Sequence, residues 1–196
     1  MLLAAPRLVK VLPMHKLLFL CLATSLFVVL CGCGERRGVT VTRDACGLIS
    51  KEEVESVQAS PVNDTKSSER SDDVFRIAQC FYATAESSKS VNLALVQERT
   101  DQQTKRSPKE FWKEKFDPYQ NEEPKTKSGE EKEQGTAPKK IDGLGDDAYW
   151  VSNRFGGVLY VLKGDAFISI GIGGTDAEEV KLEKSKTLAQ KALQQL

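Results

Sequence analysis

Apolar residues are distributed along the chain in three ways. Residues 17–30 form an uncharged apolar run. Val91, Leu93 and Leu95 alternate with Asn92 and Ala94, the period of a strand with one buried face. The stretch 74–84 reads as its antiparallel neighbour, with 85–90 turning the chain between them. Near the C-terminus 146–152, 157–162 and 166–172 read as a three-stranded meander, with turns at Arg154-Phe155-Gly156-Gly157 and Lys163-Gly164-Asp165. Because 158–162 is apolar at every position, that strand is expected in the interior of a sheet.

Helical spacing forms the third pattern, and each such stretch opens on a capping box. Ser50 with Glu53 predicts a helix over 51–58, with Ile49 and Val54 placed as a hydrophobic staple. Ser107 with Glu110, and Pro108 at the first helical position, predicts a short helix with Phe111, Trp112 and Phe116 on one stripe. Thr175 with Glu178 opens a long closing helix to Leu196, with Val180, Lys184, Leu188, Ala192 and Leu196 on a stripe that should cover the sheet. Residues 63–73 are polar and read as a loop. The stretch 117–140 is nearly devoid of apolar residues and is expected to be a mobile charged insert, since it cannot bury enough surface to offset its ordering entropy. The sum is a single α+β domain over 46–196. Its antiparallel sheet has about five strands with helices packed on one face, leaving the other face partly solvated and the natural place for a groove.

The apolar run near the N-terminus has a different meaning. Met14-His15-Lys16 supplies a short basic head, and small residues follow the run, so residues 1–32 read as a secretory signal with translation expected to start at Met14. The run is short beside the ~20 residues of a spanning helix. Leu30-Cys31-Gly32-Cys33 resembles the lipobox of bacterial lipoproteins. That resemblance implies diacylglycerol on the Cys33 thiol, cleavage after Gly32 and an acyl chain on the new amino terminus. Two or more chains hold a protein stably on a bilayer, at ~0.8 kcal/mol per buried methylene. Residues 33–45 would then be a lipidated tether, polar and glycine-containing. Since Gly34 rather than Asp follows the cysteine, the resemblance points to the outer membrane in a double-membraned cell and otherwise to the outer face of the plasma membrane.

Composition narrows what the exported part can do. The chain carries 28 basic and 28 acidic residues; the signal removes Arg7, Lys10 and Lys16 and no acid, so 25 basic residues face 28 acidic ones, a net charge near −3. No basic face for nucleic acid is indicated. Of five cysteines, Cys21 and Cys31 leave with the signal and Cys33 carries lipid. The remaining Cys46 and Cys80 are expected to pair, as two cysteines in an exported domain most often do, which stabilises the fold by about 3–4 kcal/mol in the chain-entropy treatment. The only histidine, His15, lies in the signal. The mature chain therefore lacks the commonest general base and the commonest transition-metal ligand.

Two motifs imitate binding sites and fail on spacing. Gly171-Ile172-Gly173-Gly174 has Asp176 where a dinucleotide fingerprint needs its third glycine. An EF-hand loop begun at Asp142 would put Leu144 at its third position and Asn153 where the bidentate glutamate belongs, so Asp142 to Asp147 reads as a turn leading into a strand. No cofactor and no metal is implied. A carboxylate pair acting on a glycoside stays open, because long-range spacing is invisible in sequence.

The opening Cys46-Gly-Leu-Ile-Ser-Lys-Glu-Glu-Val, the Cys80-Phe-Tyr strand and Gly143-Leu-Gly-Asp-Asp-Ala-Tyr149 together resemble a group of small secreted bacterial lipoproteins of unknown function. Those proteins carry a Cys-x-Leu-Leu-Thr-x-x-Glu-Val opening, a Cys-x-aromatic strand and a Gly-Leu-Gly-Asp-x-Ala-Tyr turn. The resemblance spans about residues 46–172; it implies the disulfide and a mixed helix-and-sheet fold, and no activity. The insert at 117–140 departs from it. The expectation is a non-enzymatic cell-envelope lipoprotein, held by membrane lipid through Cys33, that binds an envelope protein or small ligand. An envelope enzyme using carboxylates and a structural subunit of an envelope assembly are the alternatives.

Overall fold

The structure is a computed structural model that describes residues 43–99, 106–120 and 137–196. The expected signal, Cys33, the expected tether up to residue 42 and the middle of the insert lie outside the described residues. No helix among the described residues is long and apolar enough to cross a membrane.

The fold is α+β: one open, fully antiparallel sheet of seven strands and three α-helices. Strands β1 (Val62–Ser71), β2 (Phe75–Thr84) and β3 (Val91–Glu98) form one meander, and β4 (Lys139–Lys140), β5 (Asp147–Val151), β6 (Val158–Lys163) and β7 (Ala166–Ile172) form a second. The spatial order is β1-β2-β3-β7-β6-β5-β4, so the last strand returns to the middle and joins the meanders through β3. The apolar strand β6 lies inside the sheet between β7 and β5, as its composition requires.

Two expectations of strand number change. The stretch 63–73, read as a loop, is largely the ten-residue edge strand β1, in which only Val62 is buried. The insert is structured at both ends: a 3-10 turn at Asp117–Tyr119 and the two-residue edge strand β4. Edge strands with solvent on both sides carry no alternation, so the sequence signal for them is lost.

Helix α1 (Lys51–Gln58) and helix α2 (Pro108–Phe116) both begin with complete capping boxes: Ser50 and Ser107 accept from the backbone N–H of Glu53 and Glu110, whose carboxylates accept from the serine N–H. The third box does not form. Helix α3 (Glu178–Leu193) starts after Ala177, and no side chain caps it. Its buried face is Lys181, Leu182, Ser185, Leu188, Ala189 and Ala192, so the expected stripe is rotated and Val180 stands exposed.

The helices occupy both faces of the sheet, not one. On the first face α1 and α3 close over Ala78, Cys80, Tyr82, Val91, Leu93, Leu95, Leu159, Val161, Ile168 and Ile170, the larger core. On the second face α2 alone packs Trp112 and Phe116 against Phe75, Val96, Tyr149, Leu162 and Phe167. Alternation explains the division: neighbours such as Phe167 and Ile168, or Tyr149 and Trp150, belong to opposite cores.

Candidate functional site

The expected cysteine pair comes together. Cys46 and Cys80 stand at disulfide distance, Sγ–Sγ 2.06 Å, across 34 residues of sequence. Around this bridge the segment preceding α1 is fastened to three strands. Asp44 accepts from Ser67 Oγ on β1 (3.0 Å), Arg76 on β2 donates to the Arg43 carbonyl (2.9 Å), and the Arg43 N–H reaches Gln97 on β3 (3.4 Å). Tyr82 Oη donates to the Ile49 carbonyl (2.7 Å). Burial, with the charges of Asp44 and Glu53 adding to it, pushes that hydroxyl up to about 12. These contacts are structural: they tie the start of the domain to its sheet. Cys33, the expected lipid site, lies outside the described residues.

The tempting turns also have structural roles. Asp146 accepts from the Gly164 N–H (2.7 Å), and Asp147 accepts from Trp112 Nε1 (3.0 Å), so these two carboxylates hold the β6–β7 turn and α2. A side chain at Gly173 would collide with the Ser88 carbonyl, because the β2–β3 turn runs directly across it. The Gly173 N–H donates to Ser90 O at 2.9 Å.

A shallow groove of about 250 Å³ lies between the helices of the first face, lined by Glu52, Glu53, Ser56, Val57, Thr187, Leu188 and Lys191. Within it Lys191 lies 3.6 Å from Glu53. Hydrogen bonds from its own backbone N–H and from Ser50 hold the Glu52 carboxyl below the usual carboxylate range.

The second sheet face is the more open surface. At one end α2 builds an aromatic wall: Phe116 stacks on Tyr149 with ring centres 4.5 Å apart, Trp112 sits 5.7 Å from Phe167, and Phe111 stacks on Phe167 at 5.9 Å. Burial, with help from Asp147 and Asp117, pushes the Tyr149 hydroxyl up to about 12, and that hydroxyl has no hydrogen-bond partner among the described residues. Lys115 in the last turn of α2 holds its ammonium 4.6 Å from the centre of the Tyr160 ring, and burial lowers its pKa.

Beyond this wall the face is floored by small residues in register across the central strands: Ala94 on β3, Ser169 and Gly171 on β7, and Val158 on β6. Asn92 and Phe81 border the floor, both exposed. Gly171 is the informative residue. Its backbone is not in the left-handed region, and a Cβ there would meet only Val158 Cγ2, at 3.8 Å. Packing therefore does not call for glycine, which weakens a strand interior. The arrangement can seat a flat apolar body beside a ring-bound cation. The sequence hint for this floor was a single strand glycine; the fourfold alignment of small residues needed the strand order.

Comparison of the chain with protein-family models, with curated proteins and with solved structures finds no match.

Proposed function

We propose that this chain is a lipid-anchored bacterial cell-envelope lipoprotein, exported and fastened through Cys33, whose folded part is non-enzymatic and binds a small ligand or partner on the open half of its second sheet face. The anchor rests on the signal and the Leu30-Cys31-Gly32-Cys33 motif. The binding role is carried by one observation: Gly171 leaves empty a position in a central strand that a side chain could fill without a clash.

The test separates binding from folding. Gly171→Val should strengthen the strand by up to about 1 kcal/mol, since β-branched residues suit a pleated surface and glycine does not, and so raise the urea midpoint. Native mass spectrometry of the protein purified from its own host should show a bound mass that this variant loses. A variant that gains no stability, or keeps the bound mass, or a wild type that carries none, would refute the assignment of the site. Mass spectrometry of the same sample reads the modification at Cys33 separately.

A further inference from the structure

The β5–β6 turn has a construction unlike the other hairpins. At its tip Phe155 is 71% exposed, more than any other large apolar residue described. The Arg154 guanidinium lies 4.8 Å from the centre of that ring, and no carboxylate among the described residues pairs with it. Exposed tips are ordinarily soft, but this one is braced from beneath. The Phe155 N–H donates to Asn153 Oδ1 (2.8 Å) and the Gly156 N–H to Asn153 O (3.0 Å). Gly157, at φ +143°, lies where any side chain would collide with the Trp150 indole. That indole donates to Glu178 (2.6 Å), which also accepts from Ser152 Oγ.

The decisive brace is Lys181. Only 5% exposed, it donates from Nζ to the Phe155 carbonyl at 2.9 Å. A nearly buried ammonium is costly in a fold of this size, and here it fixes the backbone of the tip. A tip whose backbone is already fixed has less entropy to lose when its aromatic ring and guanidinium dock, and those side-chain types recur at interface hot spots.

Strand register places this tip. Arg43, where the tether joins, meets Arg76 and Gln97, and that end of the sheet runs through Phe75↔Glu98, Val96↔Phe167 and Leu162↔Phe167 to Asp147↔Leu162. The Arg154–Phe155 tip follows Val151↔Val158, at the opposite end. We propose that it docks a second envelope protein offering an apolar pocket rimmed by carboxylates: the pocket takes the Phe155 ring and the carboxylates take the Arg154 guanidinium. Its outward orientation rests on the anchor at Cys33; its chemistry does not.

The experiment uses the full chain in its own host, with photoreactive benzoylphenylalanine at position 155 and, as a control, at Lys66 on the exposed β1 edge. One protein should be captured from 155 and not from 66, and Arg154→Glu in the same chain should cut that capture at least tenfold. The captured protein, purified, should bind the wild-type chain at least tenfold more tightly than Arg154→Glu or Phe155→Ser, and reversal of one of its own acidic residues should restore binding to Arg154→Glu. Unchanged urea midpoints in both variants establish that the fold is intact. Capture of lipid alone, of a second copy of this chain, of the same species from both positions, or of nothing overturns the inference. In the same sample an unmodified Cys33 thiol overturns the anchor without touching the docking result.

Discussion

The two faces of the one sheet differ in how completely they are used. On the first, α1 and α3 cover the central strands; Tyr82 donates to Ile49 O, and the Gln58 amide donates to Lys89 O while its oxygen accepts from Lys184, with Ser185 Oγ buried and unmatched among the described residues. On the second, α2 covers one end with aromatic rings, leaves Tyr149 Oη unmatched among the described residues, and stops short of the small-residue floor. The difference teaches that the first face is the foundation of the fold and the second is where it has surface to offer.

The largest expected effect comes from the aromatic wall. Trp112→Ala removes a fully buried indole and its bond to Asp147, a change of about 3–5 kcal/mol. If the first face is the foundation, amide exchange should lose protection over Pro108–Phe116 while β3 keeps it; loss throughout would break the distinction. The double change Cys46→Ser and Cys80→Ser acts on the first face and should cost about 3–4 kcal/mol in urea, as the bridge closes a loop of 34 residues. Here the loss should be global.

A sharper comparison uses two buried tyrosines, one per face. Tyr82→Phe leaves the Ile49 carbonyl without its partner and should cost about 1–3 kcal/mol. Tyr149→Phe removes a hydroxyl that has no partner among the described residues and should be neutral or slightly stabilising in a urea titration. Equal losses would mean the faces are matched alike.

The smallest effect is alkaline. In the unfolded chain tyrosine ionises near 10, whereas both of these hydroxyls are raised to about 12 in the fold. The unfolded state releases its protons first, so stability is full below about pH 10 and declines as pH rises towards 12. Absorbance titration should show late ionisation of Tyr82, Tyr149 and Tyr160, the last also raised by burial; each variant should remove one of these, and urea midpoints at pH 9 and pH 11 should differ less in either variant than in the wild type.

Much of the fold was legible before the structure. The strands at 91–98 and 166–172 match their observed bounds, the capping boxes at Ser50 and Ser107 start their helices, and Cys46 pairs with Cys80. Strand β1 was not legible because an edge with solvent on both sides has no apolar face to betray it. Thr175 has the right spacing for a cap, yet the helix starts three residues later, with Lys181 turned inward to the Phe155 carbonyl and Lys184 bonded to Asp176 and Gln58. Long-range partners set that rotation.

By itself the sequence determined most of the local elements, the position of its one histidine at His15 and the expectation that Cys46 and Cys80 pair, because caps, period and composition act over a few residues or not at all over space. Only the tertiary structure decided that helices lie on both faces, that Ala94, Ser169, Gly171 and Val158 fall side by side, and that a buried lysine steadies an exposed phenylalanine. Those facts depend on which strands are neighbours, and strand order is fixed by burial of distant segments against one another rather than by any property of the segments alone.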